Sequence, residues 1–193
     1  ILDDQGVATD EVEKVTTTVY AEAKRYETGK SALPDLYGGI SSNLTAYGFD
    51  FSIATAFQQG GWVSDVTYIR LMSGGNFGSN WHKDIYKRWT PTNTDTNVPR
   101  VSTSDQNVAA GSTRFLTDAS YFNIKNITLG YTLPKRLLNS LKIESVRLYA
   151  TADNLWLLTA RQGLDTRQSF SGTTYEGNYS ALRTTSLSLS VKF

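Results

Sequence analysis

The last ten residues, 184–193, alternate strictly. Leu187, Leu189, Val191 and Phe193 fall on one parity, and Ser186, Ser188, Ser190 and Lys192 on the other. Period two predicts a strand with one apolar face and one small, polar face. A sheet that faces water usually carries Lys, Glu and Arg on its polar side, partly to prevent edge pairing. Hydroxyls in that position suit the crowded, wet interior of a transmembrane β-barrel.

Four earlier runs read the same way. In 36–47, Leu36, Ile40, Leu44 and Ala46 oppose Ser41, Asn43 and Thr45, and Gly38-Gly39 predicts a bend or bulge. Tyr47-Gly48 is a tight turn into 49–59, where Phe49, Phe51, Ile53, Thr55 and Phe57 alternate with Asp50, Ser52, Ala54, Ala56 and Gln58. Aromatics at such a turn suit the boundary of a membrane. In 121–133 the phase slips: Phe122 and Ile124 lie on one parity, Ile127, Leu129, Tyr131 and Leu133 on the other, which either a bulge near Lys125-Asn126 or an upper part standing clear of the lipid would explain. Pro134 ends this run, and Lys135 to Leu141 reads as a helical turn. In 144–157, Val146, Leu148, Ala150 and Ala152 oppose Arg147, Tyr149, Thr151 and Asp153; charge on that face is tolerable in a wet lumen, not against lipid. The last strand begins near Ala181.

Residues 1–35 read as a loop or strand remnant leading into the sheet. Residues 60–117 and 158–180 are long, glycine-bearing connections; Val63 to Met72 reads as a strand continuation and Lys83 to Trp89 as a short helix. Long loops at one end and tight turns at the other are the habit of outer-membrane barrels. The fold class expected is all-β: an antiparallel transmembrane β-barrel segment with long extracellular loops. Five strands cannot close, since single-chain barrels begin at about 8, and an open edge in lipid costs several kcal/mol per unpaired group. Residues 36–193 are therefore expected to be part of a larger wall. The rival reading is a soluble all-β glycan-binding module with loop tryptophans as its platform; a need for detergent separates the two.

Composition excludes more than it selects. No run of about 18 apolar residues predicts a spanning helix, and Ile1-Leu2-Asp3-Asp4 is no signal peptide, so the start reads as processed or incomplete. There is no cysteine, which removes disulfides, thiolate metal sites and thiol nucleophiles. The net charge of +1, with eight acidic and four basic residues in 1–35, does not indicate a nucleic-acid partner. No catalytic constellation emerges: His82 is the single histidine, Gly74-Gly75-Asn76-Phe77-Gly78 lacks the lysine of a phosphate loop, and Asp95, Asp105 and Asp118 lack calcium-loop spacing. The chain is read as no enzyme, without metal or cofactor. Binding is the open option. Trp62, Trp81, Trp89, Arg167 and Tyr175 in the loops are the candidate ligand contacts, set against the simpler reading that such aromatics pack loops together.

Several runs, in order, resemble the C-terminal part of the SusC/RagA-type TonB-linked outer-membrane transporters of Bacteroidetes. They are Gly29 to Gly39 (GKSALPDLYGG), Tyr47 to Ser52 (YGFDFS), Asn80 to Arg88 (NWHKDIYKR), Val98-Pro99-Arg100, Phe115 to Pro134 (FLTDASYFNIKNITLGYTLP), Arg147 to Thr159 (RLYATADNLWLLT) and the closing strand. The resemblance covers roughly residues 24 to 193. It implies the last five strands of a barrel of about 22, filled by an N-terminal plug and set in the Gram-negative outer membrane. It implies import of oligosaccharides or peptides beneath a SusD-like surface lipoprotein, energised by a TonB complex acting through the plug. It also implies contact with outer-membrane lipid and with the barrel-assembly machinery, whose terminal signal would be Leu187, Leu189, Val191 and Phe193. Plug, TonB box and N-terminal extension are not found in 1–193, and the family's Asp/Gly-rich stretch is reduced to Asp3-Asp4-Gln5-Gly6.

Overall fold

The computed structural model describes residues 17, 19–73, 78–102, 111–161, 163–169, 171–174 and 179–193. They fall in two units. One, of residues 29–69 and 112–193, holds the main sheet; the other draws on residues before 29 and on 70–111.

In the sheet unit, β1 (Leu36–Gly38) and β2 (Ser41–Ala46) are two parts of one edge, both antiparallel to β3 (Phe49–Gln59). Between them the ladder holds at Ile40, whose carbonyl accepts from the Thr55 amide at 2.8 Å and from its hydroxyl at 3.0 Å. A separate two-stranded ribbon joins β4 (Trp62–Ser64) to β5 (Leu116–Asp118). The main sheet continues from β3 to β6 (Tyr121–Thr132), then β7 (Ser145–Thr159), then β8 (Thr184–Lys192), each pair antiparallel. Pairing follows chain order, so the sheet is a meander. Fold class is thus all-β and antiparallel, and among the described residues no helix is long and apolar enough to cross a membrane.

The connections at one end are short. Ala46 pairs with Phe49 around Tyr47 (φ 51°) and Gly48 (φ 85°), both left-handed, as a two-residue hairpin of the favoured twist requires. At Gly48 a side chain would also meet the Thr132 carbonyl at 2.8 Å. Pro134 precedes α2 (Lys135–Leu138) and a 3-10 turn, Asn139–Leu141, closed by left-handed Lys142 (φ 57°).

The register slips where the sequence phase broke. Relative to β3, β6 carries one extra residue between Ile124 and Asn126, so Phe122 and Ile124 rejoin the face of Ile127, Leu129 and Tyr131. Relative to β6, β7 carries a further extra residue between Asp153 and Trp156, where Asn154 is left-handed (φ 48°). β7 therefore keeps its even-numbered residues on one face throughout.

One segment departs from expectation. Val63 to Met72 is extended only to Ser64 and then forms α1 (Val66–Met72). The cause is Asp65, whose carboxylate accepts from the Tyr68 amide at 2.9 Å and caps the helix. In the other unit, 3-10 turns form at Tyr20–Glu22 and Lys83–Lys87.

Candidate functional site

Register turns the alternation into two faces. Directly opposed residues share a face, so Leu44, Phe51, Leu129, Ala150 and Leu187 make one apolar row across five strands. Ala46, Phe49, Tyr131, Leu148 and Leu189 make the next, and Ile53, Ile127 and Ala152 lie on the other side. Many of these side chains stand open: Leu44 is 63% exposed, Leu129 51%, Leu187 74% and Leu189 65%. The buried apolar residues among those described are Val63, Met72, Val98, Phe115, Ala119, Leu138 and Leu164, and none lies on the five long strands. A large apolar side chain left in water forgoes about 1.5–3 kcal/mol of burial, so a contiguous face of this kind is built for apolar surroundings. From Phe49 to Phe57 the face runs about 27 Å at ~3.4 Å per residue.

The opposite face is polar and internally bonded. Its rows include Thr45, Asp50, Gly130, Tyr149 and Ser188, and Asn43, Ser52, Thr128, Thr151 and Ser186. Arg147 on β7 pairs with Asp50 on β3, passing over β6 at Gly130, where a Cβ would stand about 2.5 Å from the carboxylate. The Arg147 guanidinium also lies 5.2 Å from the Tyr149 ring. The Asn126 amide donates to Asp153 at 2.7 Å, and buried Asn123 donates to the Trp156 carbonyl at 3.0 Å. Burying polar groups without such partners costs stability, and here they are supplied across strands.

Beyond the far ends of the strands the sheet unit folds its loops around a small core of Val63, Ala119 and Leu164. Arg161 joins three pieces: it donates to the Thr117 hydroxyl at 2.6 Å, lies 3.6 Å from the Asp65 carboxylate and stacks 3.9 Å over the Tyr68 ring. Asp165, nearly buried, takes two bonds from Arg167, at 2.8 and 2.6 Å. Burial opposes the Asp165 charge, but the hydrogen bonds and charge of Arg167 outweigh it and hold the carboxyl below its ordinary range. The same pairing, against the cost of burial, raises Arg167. Arg167 also donates to the Asn154 amide oxygen at 3.2 Å, and Asn154 donates to the Leu182 carbonyl at 3.2 Å. The bulge of β7 thus ties both limbs of the following loop to the wall.

The candidate ligand contacts are dispersed. Trp62 is half-buried in the sheet unit, with the Lys30 ammonium 3.3 Å over its ring. Arg167 is committed to Asp165 and Asn154. Half-buried Trp81 and exposed Trp89 belong to the other unit, where the Trp89 amide donates to the Val98 carbonyl at 2.8 Å. Tyr175 lies outside the described residues. Leu187, Leu189 and Val191 are exposed on the apolar face of β8, and Phe193 follows it, 87% exposed. His82 caps the 3-10 turn after it, its Nδ1 accepting from the Asp84 amide at 3.2 Å. Among the described residues no cluster of His, Cys, Asp or Glu could hold a metal. Asn154, Asp165 and the Arg161–Asp65 pair are not marked by the sequence, because a polar residue at a bulge or in a loop carries no period.

No family model matches the chain. A TonB-dependent receptor of Formosa agariphila is 29% identical over 170 residues, 83% of this chain and 16% of that protein. A chain of the RagAB peptide importer in its open-open state superposes with a TM-score of 0.69 and 28% identity, covering 86% of this chain and 18% of that one. The closed-closed state gives 0.68 and 28%, covering 90% and 18%. The chain thus spans less than a fifth of the length of these relatives. The resemblance to SusC/RagA-type TonB-linked transporters read from the sequence is borne out over most of the chain, and the rival soluble module gains no support.

Proposed function

We propose that this chain is a stretch of barrel wall, with its outer loops, in a TonB-dependent nutrient importer of the Gram-negative outer membrane. The observation that carries the reading is the exposed apolar face shared by five neighbouring strands, backed by a polar face on which Arg147 pairs with Asp50. In this reading lipid covers Leu44, Phe49, Leu129, Leu148 and Leu187, and water fills the bore lined by Asp50, Arg147, Thr151 and Ser186. A strand tilt of about 40° turns the ~27 Å run of β3 into a band about 21 Å tall, near the ~25 Å of known barrels. The free sides of β1–β2 and β8 call for further strands, because unpaired backbone in lipid costs several kcal/mol per group; the last five strands of about 22 is the arrangement we favour.

The plug that would couple to a TonB complex lies elsewhere in the protein on this view. Oligosaccharide or peptide is the cargo class, held beneath a SusD-like lipoprotein, and the likeness to a peptide importer favours peptide. Trp62, Trp81, Trp89, Arg167 and Tyr175 remain the proposed ligand contacts, Trp89 with the freest ring and Arg167 acting by shaping its loop. The terminal residues Leu187, Leu189, Val191 and Phe193 are the proposed signal to the assembly machinery.

Residues 1–193 contain no cysteine, so single substitutions introduce the only thiol of this stretch. Single substitutions Leu129→Cys and Leu187→Cys should resist a water-soluble thiol reagent in intact membranes, whereas Thr128→Cys and Ser186→Cys should react once the bore is open to it. Equal labelling of both faces by the water-soluble reagent refutes the membrane wall.

A further inference from the structure

The apolar face is uneven. At two successive rows β7 contributes only Ala150 and Ala152, while β6 contributes Leu129 and Ile127 and β8 contributes Leu187 and Thr185. The result is a groove of about 450 Å³ lined by these six residues, with Thr151 and Ser186 at its floor. The next larger side chains of that face along β7 are Leu148 and Trp156, each about half exposed.

We propose that this groove is a lipid seat: it holds one fatty acyl chain of the surrounding bilayer, lying along β7. The inference rests on the membrane reading above and adds a specific site to it. The occupant must be apolar, since no charged residue lines the groove and Thr185 is the one lining residue that brings a hydroxyl to this face. It cannot be an added strand, because β7 is already paired on both sides, with β6 and with β8. Nor does a helix fit. The backbones of β6 and β8 stand two strand spacings apart, about 9.6 Å, and the flanking leucines narrow that further, whereas a helix with side chains is about 10–12 Å across. A slot left empty forfeits dispersion contacts on its lining, and the same apolar face that meets the bilayer opens directly into it.

The test uses the chromosomally encoded protein, extracted in mild detergent and examined for retained acyl lipid by native mass spectrometry. Ala150→Leu with Ala152→Leu fills the groove, and retained acyl lipid per protein should fall several-fold while detergent extraction and heat-resistant migration stay normal. The milder Ala150→Val serves if the double variant fails to assemble, and should give a smaller fall. Leu44→Ile, on the same face outside the groove, should change nothing. Undiminished lipid in an assembled groove-filling variant overturns the seat, as does efficient copy-to-copy cross-linking through Ala152→Cys, which would make a second copy the occupant. Protein recovered in the soluble fraction without detergent would instead overturn the membrane reading itself, and the seat with it.

Discussion

Arg147 and Asp50 meet across an intervening strand. Their side chains start on β7 and β3 and join over β6 at Gly130, the one position in that row with no side chain to obstruct them. One ion pair on the polar face thus spans three strands.

Gly130→Ala should therefore destabilise the sheet by about 1–3 kcal/mol through overpacking, because the new Cβ would stand about 2.5 Å from the carboxylate. In an Asp50→Ala background the loss should shrink. Denaturant unfolding of the four proteins of the cycle measures the coupling, and strict additivity would mean that the glycine does not serve the ion pair.

Charge should discriminate the two faces. Leu129→Arg should cost ~2–4 kcal/mol of folding from lipid, the penalty near mid-bilayer, and Phe49→Arg, near the turn, about 0–1. Thr128→Arg, one residue away but on the polar face, should be tolerated. Reversible unfolding from lipid vesicles gives the values; matching costs at 128 and 129 would contradict the assignment of faces.

The loop after β7 should be acid-sensitive with a definite sign. Asp165 has its carboxyl depressed by Arg167 in the fold, so the contribution of the pair is complete above the unfolded value of ~3.9 and fades as pH falls through the lower folded value. Stability near neutrality should be flat with respect to this group. Asp165→Asn should loosen the loop by roughly 3 kcal/mol near neutrality, since it strands a largely buried cation, and by less in acid, where protonation of Asp165 already removes the pair. Limited proteolysis between residues 160 and 183 reads the change, and an unaltered cleavage rate at neutral pH would argue against the clasp.

Removal of Phe193 should slow insertion of the protein into the outer membrane without altering the stability of molecules already inserted. Pulse-chase appearance of the heat-resistant form measures it. Normal kinetics would dismiss the terminal signal.

Most of the sheet was legible because its signal is periodic. Leu187, Leu189 and Val191 declare their face by alternation alone, and the phase break of β6 falls near Lys125-Asn126, where the register slips. What stayed hidden depends on single contacts. Val66 to Met72 has β-branched residues yet is a helix, because one carboxylate, Asp65, caps it. The partners of Arg167, Asp165 and Asn154, depend on a left-handed residue that no pattern announces. The Lys30 ammonium over the Trp62 ring joins residues more than thirty positions apart, a contact that no period announces.

The meander leaves two raw borders, one along Leu36–Ala46 and one along Thr184–Lys192, each with a strand neighbour on one side only among the described residues. Such borders are templates that will accept any extended chain brought near them. A piece of this protein made in isolation would therefore be expected to seed insoluble, amyloid-like deposits through those borders.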